Sequence, residues 1–292
     1  MNPYFIKGPA QIGLSGGRTS GYMTRRILDA HGGTLPEDVH VFFQNTGKEV
    51  EETLVFVNEI AERWNVPVVW MEWCREYGQP EETPWYRLVD FKTASRKGEP
   101  FEMMLDYYAE YRRIEKNLPP VLPNFSNNMC TAYLKIKIGE KHMRRLGYDN
   151  WDCVVGIRYD EPGRYHRMMA ANDRGGTRWE NYVPLYLDKI TKADVAEFWS
   201  QQPFDLGIDS DFGNCDLCWK KMEEKLHRAI LKDPSRVIWW SGVEEKFGQV
   251  FRQDRPKYAH MAWYAERMAT QDSFDFEAAG LVTEDIDCFC GD

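Results

Sequence analysis

The sequence predicts an α/β fold, in which a parallel sheet carries helices on both faces and a small helical region follows at the C-terminus. Short β-branched and aromatic runs alternate with amphipathic stretches in the N-terminal part of the chain. This alternation is typical of parallel sheets with crossover helices. The 292 residues, 43% of them hydrophobic, are enough to bury the core of such a sheet. We expect one domain over residues 1–202 and a helical region over 203–292.

The first part of the chain is predicted to form three strands joined by two helices. An apolar run ends at Gly13, and a helical pattern then continues to Ala30, where His31 and two glycines end it. Two β-branched and aromatic runs flank the second amphipathic stretch. The predicted elements after the first strand are a helix over 19–30, a strand over 39–43, a helix over 50–64 and a strand over 66–73.

The remainder of the chain is predicted to be more irregular. Three prolines place a loop before Cys130, and Thr191 is a good N-cap for a late helix. From residue 203 onward we expect short helices around Cys215 and Cys218. The predicted order is a loop with room for a short hairpin over 78–98, a helix over 101–114, a loop over 118–128, a helix over 130–146, a strand over 152–157, a strand or extended segment over 182–187 and a helix over 192–201.

The turn between the first strand and the first helix is the sharpest feature of the sequence. Gly16 and Gly17 allow a tight backbone turn and the close approach of a ligand. The free N–H groups and the positive dipole end of the helix that follows favour a phosphate or another anion. Ser15, Thr19 and Ser20 can add hydroxyl hydrogen bonds. The turn matches neither the dinucleotide fingerprint nor the Walker P-loop.

Three predicted loops should meet at one edge of the sheet. Ligands of parallel α/β sheets bind beyond the carboxyl ends of the strands. The loop at 15–20, the segment at 45–49 and the segment at 158–164 each follow a predicted strand. We therefore expect them on the same rim.

The composition restricts the partners that we expect. A formal charge of −9 argues against a broad electrostatic grip on nucleic acid, although basic residues cluster locally. No apolar run is long enough for a transmembrane helix, and the N-terminus lacks the apolar core of a signal peptide. We therefore expect a cytoplasmic protein without a membrane partner.

The seven cysteines point to metal or thiol chemistry, because we expect no export and therefore no disulfide framework. Cys215 and Cys218 form a CxxC pair, which can chelate a metal, hold half of an iron–sulfur cluster or act as a redox dithiol. Cys130, Cys288 and Cys290 are further candidates. Cys74 and Cys153 lie in or beside apolar strands, where we expect small buried side chains.

Taken together, these segments resemble the phosphoadenosine-phosphosulfate (PAPS) reductase family, within the adenine nucleotide alpha-hydrolase-like (PP-loop) superfamily. The resemblance spans roughly residues 10–220 and depends on five short motifs in the family's order. They are the loop at 15–20, the segment at 45–53, Cys130-Thr131 with Leu134-Lys135, Gly156-Ile157-Arg158 with Asp160, Glu161 and Arg164, and Pro184-Leu185 with the helix after Thr191. Cys215 and Cys218 fall where iron–sulfur members carry a late CxxC.

The resemblance implies which residues bind an adenine nucleotide, namely PAPS, adenylyl sulfate or ATP. Arg158 and Arg164 would clamp a sulfate or phosphate, because a planar guanidinium matches tetrahedral oxyanions. Arg164 can alternatively pair with Asp160 or Glu161, and Lys135 can face the anion or solvent. The implied nucleotide-binding residues are Ser15, Gly16, Gly17, Arg18, Thr19, Ser20, Asn45, Thr46, Gly47, Glu49, Lys135, Gly156, Arg158 and Arg164.

The resemblance also implies a [4Fe–4S] cluster and a thiol nucleophile. Four thiolates suit iron–sulfur or zinc, and a free dithiol is the third option. The implied ligands are Cys130, Cys215 and Cys218, with Cys290 or equally Cys288 as the fourth, because cluster-binding relatives have a further cysteine where this chain has Met129. The catalytic thiolate is expected at Cys290 or Cys288, with a thioredoxin-like dithiol carrier as reductant and a homodimer as the assembly.

Two other functions stay open. Related ATP-dependent enzymes adenylate a substrate and deliver sulfur to it, as in tRNA thiolation and DNA phosphorothioation, and only then would Mg²⁺ and nucleic acid be partners. ATP-cleaving relatives have Asp where this chain has Thr19, which favours a sulfonucleotide reductase. The third hypothesis is a nucleotide-binding module without catalysis.

Overall fold

The fold is a six-stranded, mostly parallel sheet with helices on both faces and a helical C-terminal region, which confirms the predicted fold class. The computed structural model describes residues 2–208 and 213–269. The strand order is β4-β3-β2-β1-β5-β6, and within it β3 and β4 are antiparallel. The strands are β1 (Ala10–Gly13), β2 (Val39–Gln44), β3 (Val68–Trp73), β4 (Tyr86–Val89), β5 (Trp151–Val154) and β6 (Trp179–Tyr182).

The helices account for most of the remaining described residues. They are α1 (Arg18–Ala30), α2 (Glu51–Arg63), α3 (Glu99–Lys116), a π-helix (Cys130–Lys137) continued by α4 (Ile138–Arg145), α5 (Pro162–Arg174), α6 (Pro184–Leu187), α7 (Lys192–Ser200), α8 (Glu223–Lys232), a 3₁₀ turn (Pro234–Arg236), α9 (Val237–Phe247) and α10 (Tyr258–Ala269). In this part of the chain, no helix combines the length and apolar character that a bilayer span requires.

Most predicted elements are confirmed, and the differences have local causes. The segment at 78–98 contributes a strand, β4, that pairs antiparallel with β3. The prediction of a strand or extended segment over 182–187 is wrong beyond Tyr182. Pro184 begins α6 instead, and the first turn of a helix is a position that suits proline. Pro162 likewise begins α5, which the sequence analysis missed. The expected short helices around Cys215 and Cys218 begin only at Glu223.

Each face of the sheet buries its own hydrophobic cluster. On one face, strand side chains such as Ile12 pack with residues of α1, α2 and α7. Ile60 of α2 and Trp199 of α7 belong to this cluster. On the other face, Phe42 and Met71 share a cluster with residues of α3, α4 and α8–α10. The alternation of Phe42 and Phe43 between the two clusters follows from the period of two along a strand. The C-terminal helices therefore cover one face of the sheet.

A buried histidine on α4 makes the stability of this fold sensitive to acid. His142 is 7% exposed, and its Nδ1 lies 2.8 Å from the Tyr86 hydroxyl. Burial, followed by the charges of His40 and Arg145, lowers the pKa of His142 from 6.5 to about 4. Between these values the unfolded chain binds the proton and the folded chain does not. The free energy of unfolding therefore falls as the pH drops through this window.

We expect the protonation of His142 to lower the free energy of unfolding by on the order of 2–3 kcal/mol between pH 6.5 and pH 4. Urea unfolding at pH 7, 5.5 and 4.5 measures it. His142→Gln should be less stable at pH 7 and should flatten the pH dependence. His166 is an exposed histidine of α5, and His166→Gln is the control. This substitution should leave the pH dependence of the free energy of unfolding unchanged. An unchanged slope in His142→Gln would contradict the assignment.

Candidate functional site

The turn after β1 is fixed to the first turn of α1 by hydroxyl hydrogen bonds. The Ser15 N–H donates to Ser20 Oγ at 3.1 Å, and Ser20 Oγ donates to the Gly17 carbonyl at 2.9 Å. Because the Ser20 proton is used in this way, the Ser15 hydroxyl is the donor in its own 3.1 Å contact with Ser20 Oγ. Gly16 has φ +86°, and a Cβ there would lie 2.4 Å from the Thr53 methyl group. Glycine is therefore required by both conformation and space.

The start of α1 is suited to an anion. Gly17 is the N-cap and supplies no side-chain cap, and the first turn contains no acidic residue. The N–H groups of a first helical turn have no intrahelical acceptors. With the positive dipole end, they favour a phosphate or sulfate oxygen.

The loops after β1 and β5 meet where the order of the strands reverses. β1 lies between β2 and β5, so the crevice beyond these strands is the topological switch point of the sheet. Arg158 Nη1 donates to Thr19 Oγ1 at 3.1 Å across this crevice, and Arg158 is 7% exposed. A Cβ on Gly156 would lie 3.4 Å from the Thr19 methyl group. The structure thus brings together three predicted site residues, with a guanidinium against the loop.

Two carboxylates hold Arg158, in the loop after β5, and Arg164, in the first turn of α5. Arg158 Nε donates to Asp160 Oδ1 at 3.0 Å, and its backbone N–H donates to Glu161 Oε2 at 2.9 Å. Arg164 forms an ion pair with Glu161, and the two side chains are 7% and 3% exposed. The pair that the sequence analysis considered for Arg164 is thus present with Glu161, and it is buried.

The loop after β2 is ordered by its own side chains. Asn45 Nδ2 donates to Glu72 Oε1 at 2.6 Å and to the Ser95 carbonyl at 2.8 Å, and its Oδ1 accepts from Gly47 N at 3.1 Å. Glu49 Oε2 accepts from both N and Oγ1 of Thr46 at 2.9 Å. These hydrogen bonds therefore fix the conformation of the loop after β2.

Glu49 is a buried carboxyl group beside the CxxC segment. Burial raises its pKa, and the charge of Lys135 and the bonds from Thr46 partly offset that increase. Lys135 is half-buried, and its charge lowers the pKa of this carboxyl group.

The CxxC segment is hydrogen-bonded to the loops after β1 and β2, an arrangement that the sequence analysis missed. Asn214 Nδ2 donates to the Ser15 carbonyl at 2.6 Å, and the Asn214 carbonyl accepts from Val50 N at 2.9 Å. Cys215 forms a β-bridge with Glu49. Lys48 and Asp216 form a buried ion pair at 2.9 Å.

The cysteines are only partly gathered. Cys215 and Cys218 are buried, and Cys215 Sγ lies 3.9 Å from Glu49 Oε1. Cys130 is half-buried at the start of the π-helix. Cys288 and Cys290 lie outside the described residues. Within residues 2–208 and 213–269, no three His, Cys, Asp or Glu side chains form a metal site. Among the described residues, the three predicted ligands Cys130, Cys215 and Cys218 therefore do not form a metal site by themselves.

The remaining two cysteines lie apart from the rim. Cys153, on β5, accepts a hydrogen bond from Gln11 Nε2 at 3.1 Å, and burial raises the pKa of its thiol to about 11. Burial also raises the pKa of Cys74, which follows β3. Both thiols are therefore protonated at neutral pH. The two residues are only partly buried, so the expectation of small, fully buried side chains is wrong.

A cavity of about 320 Å³ lies against the loop at residues 15–20 and the start of α1. Arg18 stands at this cavity and pairs with Asp205, with Nε–Oδ1 and Nη2–Oδ2 distances of 2.8 and 2.6 Å. The lining residues are Arg18, Thr19, Arg158, Lys192, Val195, Ala196, Trp199, Ser200, Asp205, Leu206, Ile208, Gly213 and Asn214.

The fold and the rim define an α/β protein with a glycine- and hydroxyl-rich loop at the switch point of a parallel sheet. No model of a known protein family matches the chain. The uncharacterized nin region protein ORF290 of Escherichia phage lambda is 30% identical to it over 255 residues, which cover 85% of this chain and 76% of that protein. The chain therefore belongs to the family of this phage protein.

Two solved structures also show similarity. One is the PAPS reductase from Candida auris in a phosphate complex, at 12% identity and a TM-score of 0.37 over 69% of this chain and 79% of that one. The other is the U34-tRNA thiolase NcsA from Methanococcus maripaludis with its [4Fe–4S] cluster, at 12% identity and a TM-score of 0.35 over 92% and 74%. At these values neither similarity carries an argument about function.

Proposed function

We propose that this protein binds an adenine sulfonucleotide and reduces its sulfate group to sulfite by thiol chemistry. The observation that carries the proposal is the Arg158–Thr19 hydrogen bond across the switch point. It holds a guanidinium beside a neutral hydroxyl- and glycine-rich loop at a helix N-terminus. Backbone amides, hydroxyls and a guanidinium together suit a tetrahedral oxyanion.

The same contact favours a sulfonucleotide over cleavage of ATP. Residues 15–20 contain no acidic side chain, and Thr19 presents a hydroxyl that accepts from Arg158. Mg²⁺ binds through carboxylates and phosphate oxygens. The loop therefore offers the anion donors without offering a carboxylate ligand for Mg²⁺. PAPS and adenylyl sulfate both satisfy this chemistry.

The reaction that we propose is balanced by thiols alone. The thiolate of Cys290, or of Cys288, attacks the sulfur of the sulfonucleotide, the S–O bond to the phosphate breaks, and the nucleotide leaves. A thiolate of a reduced dithiol carrier then attacks the resulting Cys–S–SO₃⁻ at the cysteine sulfur, which releases sulfite and forms a mixed disulfide. The second carrier thiol restores the enzyme thiolate, and the carrier leaves oxidised.

Sulfite release tests this proposal. Adenylyl sulfate and PAPS are supplied separately with a reduced thioredoxin-type carrier, and we expect sulfite and the matching nucleotide in equal amounts. Cys290→Ser and Cys288→Ser identify the nucleophile, because only the variant without it fails to form the protein-bound thiosulfonate detected by mass spectrometry. Nucleotide binding without any product would indicate a binding module instead.

The predicted [4Fe–4S] cluster has its own test. Iron and acid-labile sulfide are measured in protein purified without oxygen, beside Cys218→Ser and Cys74→Ser. The cluster prediction requires iron in the wild type and in Cys74→Ser, and its loss in Cys218→Ser. Protein that contains zinc or no metal in all three would contradict it.

A second candidate function is ATP-dependent sulfur transfer. One observation favours it: the CxxC segment is joined to the loops after β1 and β2 through Asn214 and Cys215, and these are the loops that we propose hold the nucleotide. Pyrophosphate release from ATP, without sulfite release from either sulfonucleotide, would replace the reductase proposal with this one.

A further inference from the structure

The chain around Cys215 and Cys218 is held through its peptide carbonyls. The buried side chain of Lys221 donates from Nζ to the Cys215 carbonyl at 2.7 Å and to the Asp216 carbonyl at 2.8 Å. The Lys221 backbone N–H donates to the Cys218 carbonyl at 3.0 Å. A single lysine therefore binds three carbonyl oxygens of the CxxC motif.

Helix α10 and the segment before it bind the other carbonyls of this turn. The hydroxyl of the buried Tyr258 donates to the Leu217 carbonyl at 2.7 Å. Arg255 Nη2 donates to the Trp219 carbonyl at 2.7 Å, and its Nη1 donates to the Lys221 carbonyl at 2.8 Å. Every peptide carbonyl from residue 215 to residue 219 therefore has a hydrogen-bond donor.

The carboxylate of Asp216, inside the motif, is fixed as well. It pairs with Lys48 at 2.9 Å and accepts from Trp240 Nε1 at 2.8 Å. Its Oδ1 also accepts from the Leu217 N–H at 2.7 Å. The turn is thus held by its own residues, by the loop after β2 and by the C-terminal helices.

Fixed carbonyls determine where the two sulfur atoms can lie. A trans peptide is planar, so the direction of its C=O bond sets the orientation of the whole peptide plane. The planes on both sides of a residue set the direction of its Cα–Cβ bond. Cys215 and Cys218 are therefore left with rotation about χ1 alone, and their backbone is preorganised before anything binds.

We infer that Arg255 and Tyr258 are positioning residues for the CxxC pair. They act through peptide carbonyls and hold Cys215 and Cys218 so that both sulfur atoms bind one thiophilic atom. This role goes beyond the proposed reduction of a sulfonucleotide, in which the thiols of the CxxC pair take no part.

A trivalent arsenical tests the placement of the two sulfur atoms without a nucleotide or a metal ion. Phenylarsine oxide forms two As–S bonds with a pair of thiols, and its oxygen leaves as water with the two thiol protons. The parent protein is the full chain with Cys288→Ser and Cys290→Ser, because those cysteines form a second closely spaced pair. We expect stoichiometric binding to the parent, and none after Cys215→Ser or Cys218→Ser is added.

Tyr258→Phe is the sharpest variant, because it removes one hydroxyl and keeps the ring. It should weaken arsenical binding about five- to tenfold, the effect of one hydrogen bond, and Arg255→Met should weaken it about tenfold or more. Tyr264→Phe, on the same helix, is the control for the first. Arg252→Met, which loses an ion pair with Asp254, is the control for the second. Both controls should bind like the parent.

Alkylation by iodoacetamide separates positioning from unfolding. This reagent reacts with one thiol at a time, so its rate at Cys218 reports exposure and not the spacing of two sulfur atoms. Weaker arsenical binding by Tyr258→Phe at an unchanged alkylation rate supports the inference. Faster alkylation in that variant would overturn it, because the hydroxyl would then maintain the fold of the turn.

Two further results would overturn the inference. One is parent affinity for the arsenical in both Tyr258→Phe and Arg255→Met, and the other is a parent protein that binds no arsenical. Where thermal unfolding shows that Arg255→Met is not folded, Tyr258→Phe decides alone. Sulfite release does not enter this experiment, so the inference and the proposed function fail separately.

Discussion

Arg158→Met should weaken the binding of adenylyl sulfate about 10- to 100-fold, which corresponds to the loss of one or two hydrogen bonds to a charged group. The guanidinium is 7% exposed and donates to Thr19 across the switch point, so it is directed at the loop before any ligand arrives. Arg158→Lys should fall between the wild type and Arg158→Met, because an ammonium retains the charge but not the planar donor geometry. Calorimetric titration with adenylyl sulfate measures all three proteins.

The controls for Arg158 separate binding from folding. Arg145→Met removes the same charge from an exposed position on α4 and should leave the affinity unchanged. Because Arg158 also bonds to Asp160, thermal unfolding of each variant must accompany the titrations. Binding by a folded Arg158→Met with wild-type affinity would remove this residue from the nucleotide site.

The sequence could predict what is local to the chain. The turn at residues 15–20 and helix α1 follow from glycines, hydroxyls and apolar spacing within a short stretch. Thr191 is the N-cap of helix α7 as predicted, and reciprocal hydrogen bonds between Thr191 and Asp194 complete a capping box. The rim followed from the rule that parallel strands present their carboxyl ends together.

Contacts between distant parts of the chain could not be predicted in this way. The bond from Asn214 to Ser15 joins residues 199 positions apart, and no spacing within either segment indicates it. Arg164 shows a different difficulty. Its partner Glu161 is three positions away and visible in the sequence, but only the packing around the pair decides whether the guanidinium faces a carboxylate or a ligand.

Gly16→Ala should cost about 2–5 kcal/mol of folding free energy, the largest stability effect that we expect from a single added methyl group. The positive φ of +86° accounts for about 1–2 kcal/mol in a residue with a Cβ. The added Cβ would lie 2.4 Å from the Thr53 methyl group, and such overpacking costs about 1–3 kcal/mol more. Urea unfolding measures the total, and titration with adenylyl sulfate reports whether the displaced loop still binds the anion.

The two causes can be separated by variants that carry only one of them. Gly32 has φ +69° with no atom near its would-be Cβ, so Gly32→Ala should show the conformational cost alone. Adding Thr53→Ser to Gly16→Ala removes the obstructing methyl group and should recover only the free energy lost to overpacking. The double variant should then be destabilised by about as much as Gly32→Ala. A double variant no more stable than Gly16→Ala would show that the Thr53 methyl group of α2 does not clash with the added Cβ. Full restoration would show that the left-handed backbone of Gly16 is not needed to form the anion-binding turn.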